Sequence, residues 1–510
     1  MRLLDAAQMR GLDQTAIIKY NTPARDLMNC AALRAVDVVK SIIPDNSRCA
    51  VICGNGNNGG DGFAVARLLN NANYRVSVFF DNDKRKSLSD ESGLNHDLVS
   101  ELVKPEFFPD NFDSFSVIID AYLGIGIKGK LRENAKTLVE AVNRSGATVI
   151  SLDIPSGLPT EGYIPSNCVA IKADYTVTFG FPKVSMFSRR GREYCGTVIT
   201  ADIGLPSHEI FNNKPACYIY EKKNFSDSSL LYQNDALYKT RAGCVTVFGG
   251  FRGYEGAAIL SVKALSECGN GMTYLAIDSD SDLSGREIPP EVMLHRLDAD
   301  YKILCDYLLE RSKTVVCGPG LGLQVKAKSL LSHILLRAAE GKIENLILDG
   351  DALTIVADTD INLVRKAGKA CRLFLTPHSM EAARLSNVDV DEIDGDSVGS
   401  AIEISKKYDA YVVLKGPATV TAYNDEVIIN TSGNPLLATG GSGDVLTGII
   451  ASFIRDDESI IDSVSSAVFL HGYCADYYYG KYRITSYKAS DTINMIRPAL
   501  KSLLESIDDH

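Results

Sequence analysis

Two tandem α/β domains, each a doubly wound sheet flanked by helices, are what this sequence predicts. Three observations lead there. Short apolar runs rich in β-branched and aromatic residues alternate with amphipathic stretches; the alternation breaks once, near the middle of the chain, and then restarts; and several runs end in glycines or acids, as strands do at the ligand edge of an open sheet.

In the first half the strands expected are Cys49–Cys53, Tyr74–Phe80, Ser116–Asp120, Thr148–Asp153 and Tyr175–Phe179, with helical patterns such as Phe63–Asn70 and Glu133–Arg144 between them. Ser207–Ser229 is polar and weakly periodic, so a linker is expected there. The alternation resumes with Cys244–Phe248, Met272–Ile277, Lys313–Cys317, Asn345–Asp349, Arg372–Thr376 and Ala410–Lys415, and with helices over Gly256–Cys268 and Gly443–Phe453. The expected domains are 1–212 and 230–510, joined by 213–229.

Composition narrows the class. The chain has 510 residues, 45% hydrophobic and 23% charged, the proportions of a globular protein with ample core. Its 53 Lys+Arg against 64 Asp+Glu give a net charge of −11 without a basic block, which argues against nucleic-acid binding. No apolar run is long enough to cross a membrane, and Asp5 interrupts what a signal peptide would need as an apolar core. A cytoplasmic location is expected. The 12 cysteines form no C-x-x-C pair or Cys/His cluster, so reduced thiols rather than zinc or disulfides are expected.

Three strand ends in the first half carry chemistry. Cys53–Gly62 reads CGNGNNGGDG and is expected to be a loop between a strand and a helix; glycines allow close backbone approach, and the Asn and Asp oxygens suit a hard cation or polar ligand as well as a phosphate. Asp120 in IDAYLGIG and Asp153 in SLDIPSG follow apolar runs and precede Gly/Pro turns. Those positions put them beside the glycine segment at one sheet edge.

In this order the three motifs resemble the YjeF N-terminal domain, an NAD(P)H-hydrate epimerase with a Rossmann-like sheet. The resemblance covers roughly residues 1–210. It implies a substrate, NADHX or NADPHX, that is a nicotinamide cofactor hydrated at ring carbon C6. It implies that Asn57, Asn58, Gly59, Gly60 and Asp61, with Gly124, Ile125, Gly126, Ile127, Lys128, Gly129 and Lys130, hold that substrate. It further implies a K⁺ site at Asn58, Asp120 and Ser156, and Asp153 as a substrate-contacting acid/base.

The second half carries NPLLATGGSGDVLTG at Asn434–Gly448, a glycine-rich turn entering a helix whose first turn holds Asp444. Backbone N–H groups at such a helix start make an anion hole, with the carboxylate placed as a base. No Walker loop is present. The G-S-G-D turn resembles the ribokinase superfamily, an α/β/α sandwich. GGFRGYEGAA, PPEVM, CGPGLG, LDGDALT and LTPHSMEAARL resemble, within it, the YjeF C-terminal domain, an ADP- or ATP-dependent NAD(P)H-hydrate dehydratase. That resemblance covers roughly residues 230–505. It implies that Ala257, Gly322, His378 and Asp444 contact the hydrate, that Lys415, Gly416, Pro417, Ala418, Thr419 and Gly443 contact the nucleotide, and that Mg²⁺ accompanies ADP or ATP. Between His378 and Glu381 the family usually has Pro-Gly; this chain has Ser379-Met380, and Met adopts positive φ less readily than Gly.

Together the resemblances imply one repair enzyme: the epimerase supplies the S epimer that the dehydratase accepts, with ADP favoured as phosphoryl donor because fused forms resemble the bacterial type. A homo-oligomer is expected. The alternative is a ribokinase-like small-molecule kinase with a nucleotide-binding N-terminal module, which leaves the Asp120 and Asp153 motifs without a purpose.

Overall fold

The structure is a computed structural model that describes residues 1–126, 131–211, 217–226, 243–454 and 459–505. The chain divides into two compact units, Arg2–Cys217 and Tyr218–His510.

The first unit has a six-stranded parallel sheet in the order Arg75–Phe79, Arg48–Cys53, Val117–Ala121, Thr148–Leu152, Tyr175–Phe179, Thr197–Ala201. Successive residues of a strand point to opposite faces, and here both faces are apolar and buried. Val51, Ile119 and Ile150 pack in one core with Val36, Phe63 and Leu69, from the helices Ala24–Ile42 and Asn57–Asn71. Ile52, Ile118 and Val149 pack in another with Leu138 and Val142 of the helix Glu133–Arg144. A sheet covered on both faces explains why its strands read as continuous apolar runs. The order reverses between Arg48–Cys53 and Val117–Ala121, where Gly54 N–H donates to Ala121 O at 3.1 Å. Such a switch point is where open α/β sheets bind ligands.

The glycine segment differs from expectation. The helix begins at Asn57, so most of CGNGNNGGDG is helical rather than loop. Its glycines serve close packing: a Cβ on Gly59 would lie 1.9 Å from Gly54 O, and one on Gly62 would lie 2.5 Å from the Ala121 Cβ.

Within the second unit the strands follow the order Cys217–Tyr220, Glu426–Asn430, Val420–Tyr423, Tyr411–Leu414, Arg372–Leu375, Asn345–Leu348, Thr314–Cys317, Cys244–Phe248, Met272–Asp278, Val292–Leu297. All neighbours are parallel except Val420–Tyr423, which is antiparallel to both of its neighbours. The order reverses between Cys244–Phe248 and Thr314–Cys317. There Gly250 N–H donates to Pro319 O at 2.9 Å and Phe251 N–H to Gly320 O at 2.8 Å. Within the stretch expected as a linker, Tyr218–Tyr220 pair with Ile428–Asn430, and Phe225 is fully buried. All 12 cysteines are free. Among the described residues no helix is long and apolar enough to cross a membrane.

Candidate functional site

The edge of the first sheet opens into a cleft of about 940 Å³, lined among others by Asp13, Asn57, Asn58, Asp61, Tyr122 and Asp153. Gly124, Ile125 and Gly126 also line it; Ile127, Lys128, Gly129 and Lys130 lie outside the described residues. Gly59 and Gly60 are not on its wall. Gly60 sits under Ser92 and Met28, where a Cβ would come within 2.4 Å of the serine hydroxyl.

Asp120 lies wholly buried at a strand end. Its carboxylate accepts from Ser151 Oγ at 2.8 Å, Ser156 N at 2.9 Å, Ser156 Oγ at 2.6 Å and Tyr122 N at 3.2 Å. Burial raises its pKa, and the Ser156 and Ser151 bonds oppose the rise. Asp120 thereby ties together the two loops that follow Val117–Ala121 and Thr148–Leu152. Asn58 reaches the same loops: its amide nitrogen donates to Leu123 O at 3.0 Å and Leu152 O at 3.1 Å. Its side-chain oxygen is buried and has no hydrogen-bond partner among the described residues. An orphaned amide oxygen near a buried carboxylate and a serine is a set of hard oxygen donors, and it fits an alkali cation.

Asp153 follows the last residue of its strand with φ +65°, and Ile154 N–H bonds to Leu152 O at 2.8 Å across it. This is the γ-turn with positive φ, a rare and strained conformation for a side-chain-bearing residue. It aims the Asp153 carboxylate at Lys183, whose ammonium donates to it and, at 2.8 Å, to Thr178 Oγ1. Lys183 has no exposed surface. Two more carboxyls share this charge. Asp13 is pushed up to about 6, by burial first and then by the Asp153 charge. Asp61 is raised well above the usual range, again by burial first and then by Asp153 and Asp13. The motifs did not single out Lys183 or Asp13. Lys183 ends an FGFPK stretch past a strand and carries no signal of its own, and Asp13 reads as a solvated helix residue.

In the second unit, Gly441 turns the chain at φ +87° into the helix Ser442–Phe453. A Cβ there would lie 2.5 Å from Leu260 Cδ1. Asp444 stands in the first helical turn and is pushed up to about 7 by burial, with the Asp349 charge adding to the rise. The side chain of His471 is buried against Ser442 Oγ, at 3.1 Å, behind this turn.

Asp349 organises the surroundings. Its carboxylate accepts from Lys415 Nζ, Thr376 Oγ1 and Thr447 Oγ1, each at 2.7 Å. Three strand ends and the Asp444 helix meet on one carboxylate. Burial acts to raise its pKa, but Lys415 and the two threonines hold the carboxyl below its ordinary value. The rule that picked out Asp120, an acid ending an apolar strand, also applies to Asp349 within LDGDALT. Lys415 is followed by Gly416–Thr419, where Gly416 N–H donates to Thr419 Oγ1 at 3.3 Å and that hydroxyl donates to Gly416 O at 3.0 Å. Gly443 has only small bulk facing the lysine; a Cβ on it would lie 3.3 Å from Nζ. Gly322 N–H donates to Asp351 Oδ2 at 2.7 Å, and Ala257 sits in the first turn of the helix Glu255–Glu267.

His378 caps the helix Ser379–Ser386. Its Nδ1 accepts from Glu381 N at 3.3 Å, and Glu381 Oε2 accepts from His378 N at 2.8 Å, a reciprocal capping box. Because Nδ1 accepts a backbone N–H, the imidazole is neutral with its proton on Nε2, in keeping with a pKa lowered by burial and by Lys415. Glu381 is pushed up to about 7 by burial, the Asp349 charge adding to this and Lys415 opposing it. Met380 lies in the helix's first turn and is not among the residues with positive φ, so replacing Gly there imposes no left-handed strain.

Comparison with known proteins follows the same division. A family model described as YjeF-related protein N-terminus matches residues 24–185, and one described as NAD(P)H-hydrate dehydratase matches residues 245–498. The bifunctional NAD(P)H-hydrate repair enzyme of Thermofilum pendens is 33% identical over 100% of this chain and 98% of its own length. That of Escherichia coli is 30% identical over 92% of this chain and 88% of its own. Among solved structures, the ADP/ATP-dependent NAD(P)H-hydrate dehydratase from Bacillus subtilis, co-crystallised with ATP and Mg²⁺, covers 56% of this chain and 98% of its own at 24% identity and TM-score 0.48. A ribokinase-like superfamily protein from Enterococcus faecalis covers 57% and 96% at 26% identity and TM-score 0.49. With its YjeF-related part first and its dehydratase part second, matched end to end by relatives at this level of identity, the chain belongs to the family of bifunctional NAD(P)H-hydrate repair enzymes.

Proposed function

We propose that the first unit interconverts the R and S epimers of NADHX and NADPHX, and that the second returns the S epimer to NADH or NADPH using ADP or ATP. The observation that carries this reading is the presence in one chain of the Asp153 cleft and the Asp444 turn. A kinase needs only the second.

In the first unit, the hydrate's ring lies in the cleft with C6 toward Asp153, which moves protons at the C6 hydroxyl. Asn57, Asn58, Asp61 and the Gly124–Gly126 wall hold the rest of the cofactor, while Gly59 lets its helix approach Gly54 and Gly60 lets it approach Ser92 and Met28. Asn58 Oδ1, Asp120 and Ser156 would hold K⁺, which would supply positive charge to the loops that carry the substrate.

In the second unit, Asp444 accepts the proton of the C6 hydroxyl as its oxygen takes the terminal phosphoryl group. The N–H groups at the start of its helix face the phosphate. Lys415, held by Asp349, balances its charge, and Gly416–Thr419 with Gly443 seat the nucleotide. Ala257, Gly322 and His378 position the hydrate. Among the described residues no three acidic, His or Cys side chains gather as a metal cage. Mg²⁺ would enter with the nucleotide, its usual mode being phosphates with one or two carboxylates, and would supply charge neutralisation there. The C6–O bond then breaks with its electron pair leaving on phosphate, C5 loses a proton, and the C5=C6 double bond re-forms. ADP is the preferred donor, the enzyme is cytoplasmic, and it works as a homo-oligomer.

The test is recovery of reduced nicotinamide absorbance from mixed R and S NADHX with Mg²⁺, K⁺ and ADP or ATP. Full recovery supports both halves. Recovery of the S portion alone removes the epimerase assignment, and none with either nucleotide removes the dehydratase.

A further inference from the structure

The reaction of the first unit needs protons both delivered and removed, and the motifs bring two carboxyls to the cleft, Asp153 and the buried Asp61. The cleft provides a third. Asp13 lies on the helix Ala6–Ile18, whose buried face (Ala6, Met9, Leu12, Ala16) docks on the core. Met9, Arg10, Asp13 and Ile17 line the cleft from that helix, one stripe at helical spacing. The helix is set in place at its start: Leu4 N–H donates to Pro182 O at 3.0 Å, and Leu4 pairs with Lys183 itself. The segment that supplies the buried lysine thus also fixes the helix that supplies Asp13.

Asp13 makes no hydrogen bond or ion pair among the described residues, whereas Asp153 is paired to Lys183. Of the cleft carboxyls, Asp153 and Asp13 therefore stand in different environments, one beside a fixed cation and one with none of its own. Environments that divide a pair in this way assign one member to hold charge and the other to carry a proton.

We infer that Asp13 is a second catalytic residue of the epimerase, the proton-bearing partner of Asp153. This rests on the epimerase reading of the first unit. In the step it performs, the C6–O bond breaks with its electron pair going to oxygen, the Asp13 proton passes to that oxygen, and water leaves. The ring-nitrogen lone pair forms the N1=C6 double bond. Water then adds to the other face of C6 and gives its proton to a carboxylate of the pair. No oxidant or reductant enters.

The charges acting on Asp13 are Asp153 at a strand end and Lys183, which lies past the strand Tyr175–Phe179; Asp61 of the helix Asn57–Asn71 feels the Asp13 charge in turn, and Arg10 of its own helix lines the same cleft. With burial and Asp153 holding Asp13 up at about 6, the proton-bearing form declines above that pH.

The experiment uses the full-length chain and purified R-NADHX, with epimerisation followed by chromatography and dehydration of S-NADHX as the internal control. Asp13→Asn should lower the epimerisation kcat about 100-fold or more and leave S-epimer dehydration unchanged. Asp13→Ala should regain activity with added formate, a rescue that a merely structural role would not give. Wild-type kcat should fall as pH rises past about 6, and that limb should be missing from the residual rate of Asp13→Asn. A raised KM with unchanged kcat in Asp13→Asn, or formate-independent activity in Asp13→Ala, overturns the inference. Wild-type protein that dehydrates S-NADHX but does not epimerise overturns the epimerase reading and the inference with it.

Discussion

Lys183 donates its ammonium to the Asp153 carboxylate from a position with no exposed surface, while Asp153 itself sits in a γ-turn at φ +65°. The lysine is the cation shared by three carboxyls, since Asp13 and Asp61 both feel its charge. Lys183→Met keeps the length and removes the charge. Losing one partner of a buried pair costs about 3–5 kcal/mol, so the first unit should unfold at lower guanidinium chloride at pH 7, and epimerisation should be lost. Nicotinamide recovery from pure S-NADHX, which depends on the other unit, should persist.

Asp444 gives the complementary result. It is pushed up to about 7 by burial and by Asp349. A base acts when ionised, so dehydration should rise with pH through about 7 and level off above it. Asp444→Asn should lower dehydration by about 100- to 10,000-fold without affecting the interconversion of R and S hydrates. A flat pH profile in the wild type would remove Asp444 from the proton transfer.

These two sites were legible to different degrees. Asp444, Asp120 and the strands that end beside them were readable because strand-end acids and glycine turns at helix starts are local patterns. The glycine segment was misread as a loop up to Gly62, because its glycines look like turn formers and only the packed structure shows them touching Gly54, Met28 and Ala121. Lys183 and Asp13 were invisible for another reason. They lie about 170 residues apart in sequence, and nothing in either neighbourhood records the Leu4–Lys183 pairing that brings their segments together. Asp349 lay inside a recognised motif, but its hold on Lys415, Thr376 and Thr447 depends on three separate strand ends and a helix.

Gly59→Ala tests the revised role of the glycine segment. The added Cβ would meet the Gly54 carbonyl oxygen at 1.9 Å, a backbone atom that cannot swing away. Overpacking of this kind costs about 1–3 kcal/mol or more. The first unit should lose that much stability by denaturant titration, whereas a flexible phosphate-binding loop would accept alanine with little change.

Asp13→Asn carries a prediction for stability as well as for rate. The folded-state pKa of Asp13 is about 6, against 3.8 for the unhindered group, with burial as the main cause. A raised carboxyl works against folding once it ionises: the penalty is absent below the unfolded value, grows between the two, and is full above about 6. Asparagine stays neutral throughout. The variant should therefore resist denaturant better than wild type at pH 7.5, and the two should converge as the pH falls toward 4. A carboxylate that stabilised the fold would give the opposite ordering at pH 7.5. Higher stability together with slower epimerisation in one variant would mean that the charge is kept in the cleft for chemistry, at the expense of the fold.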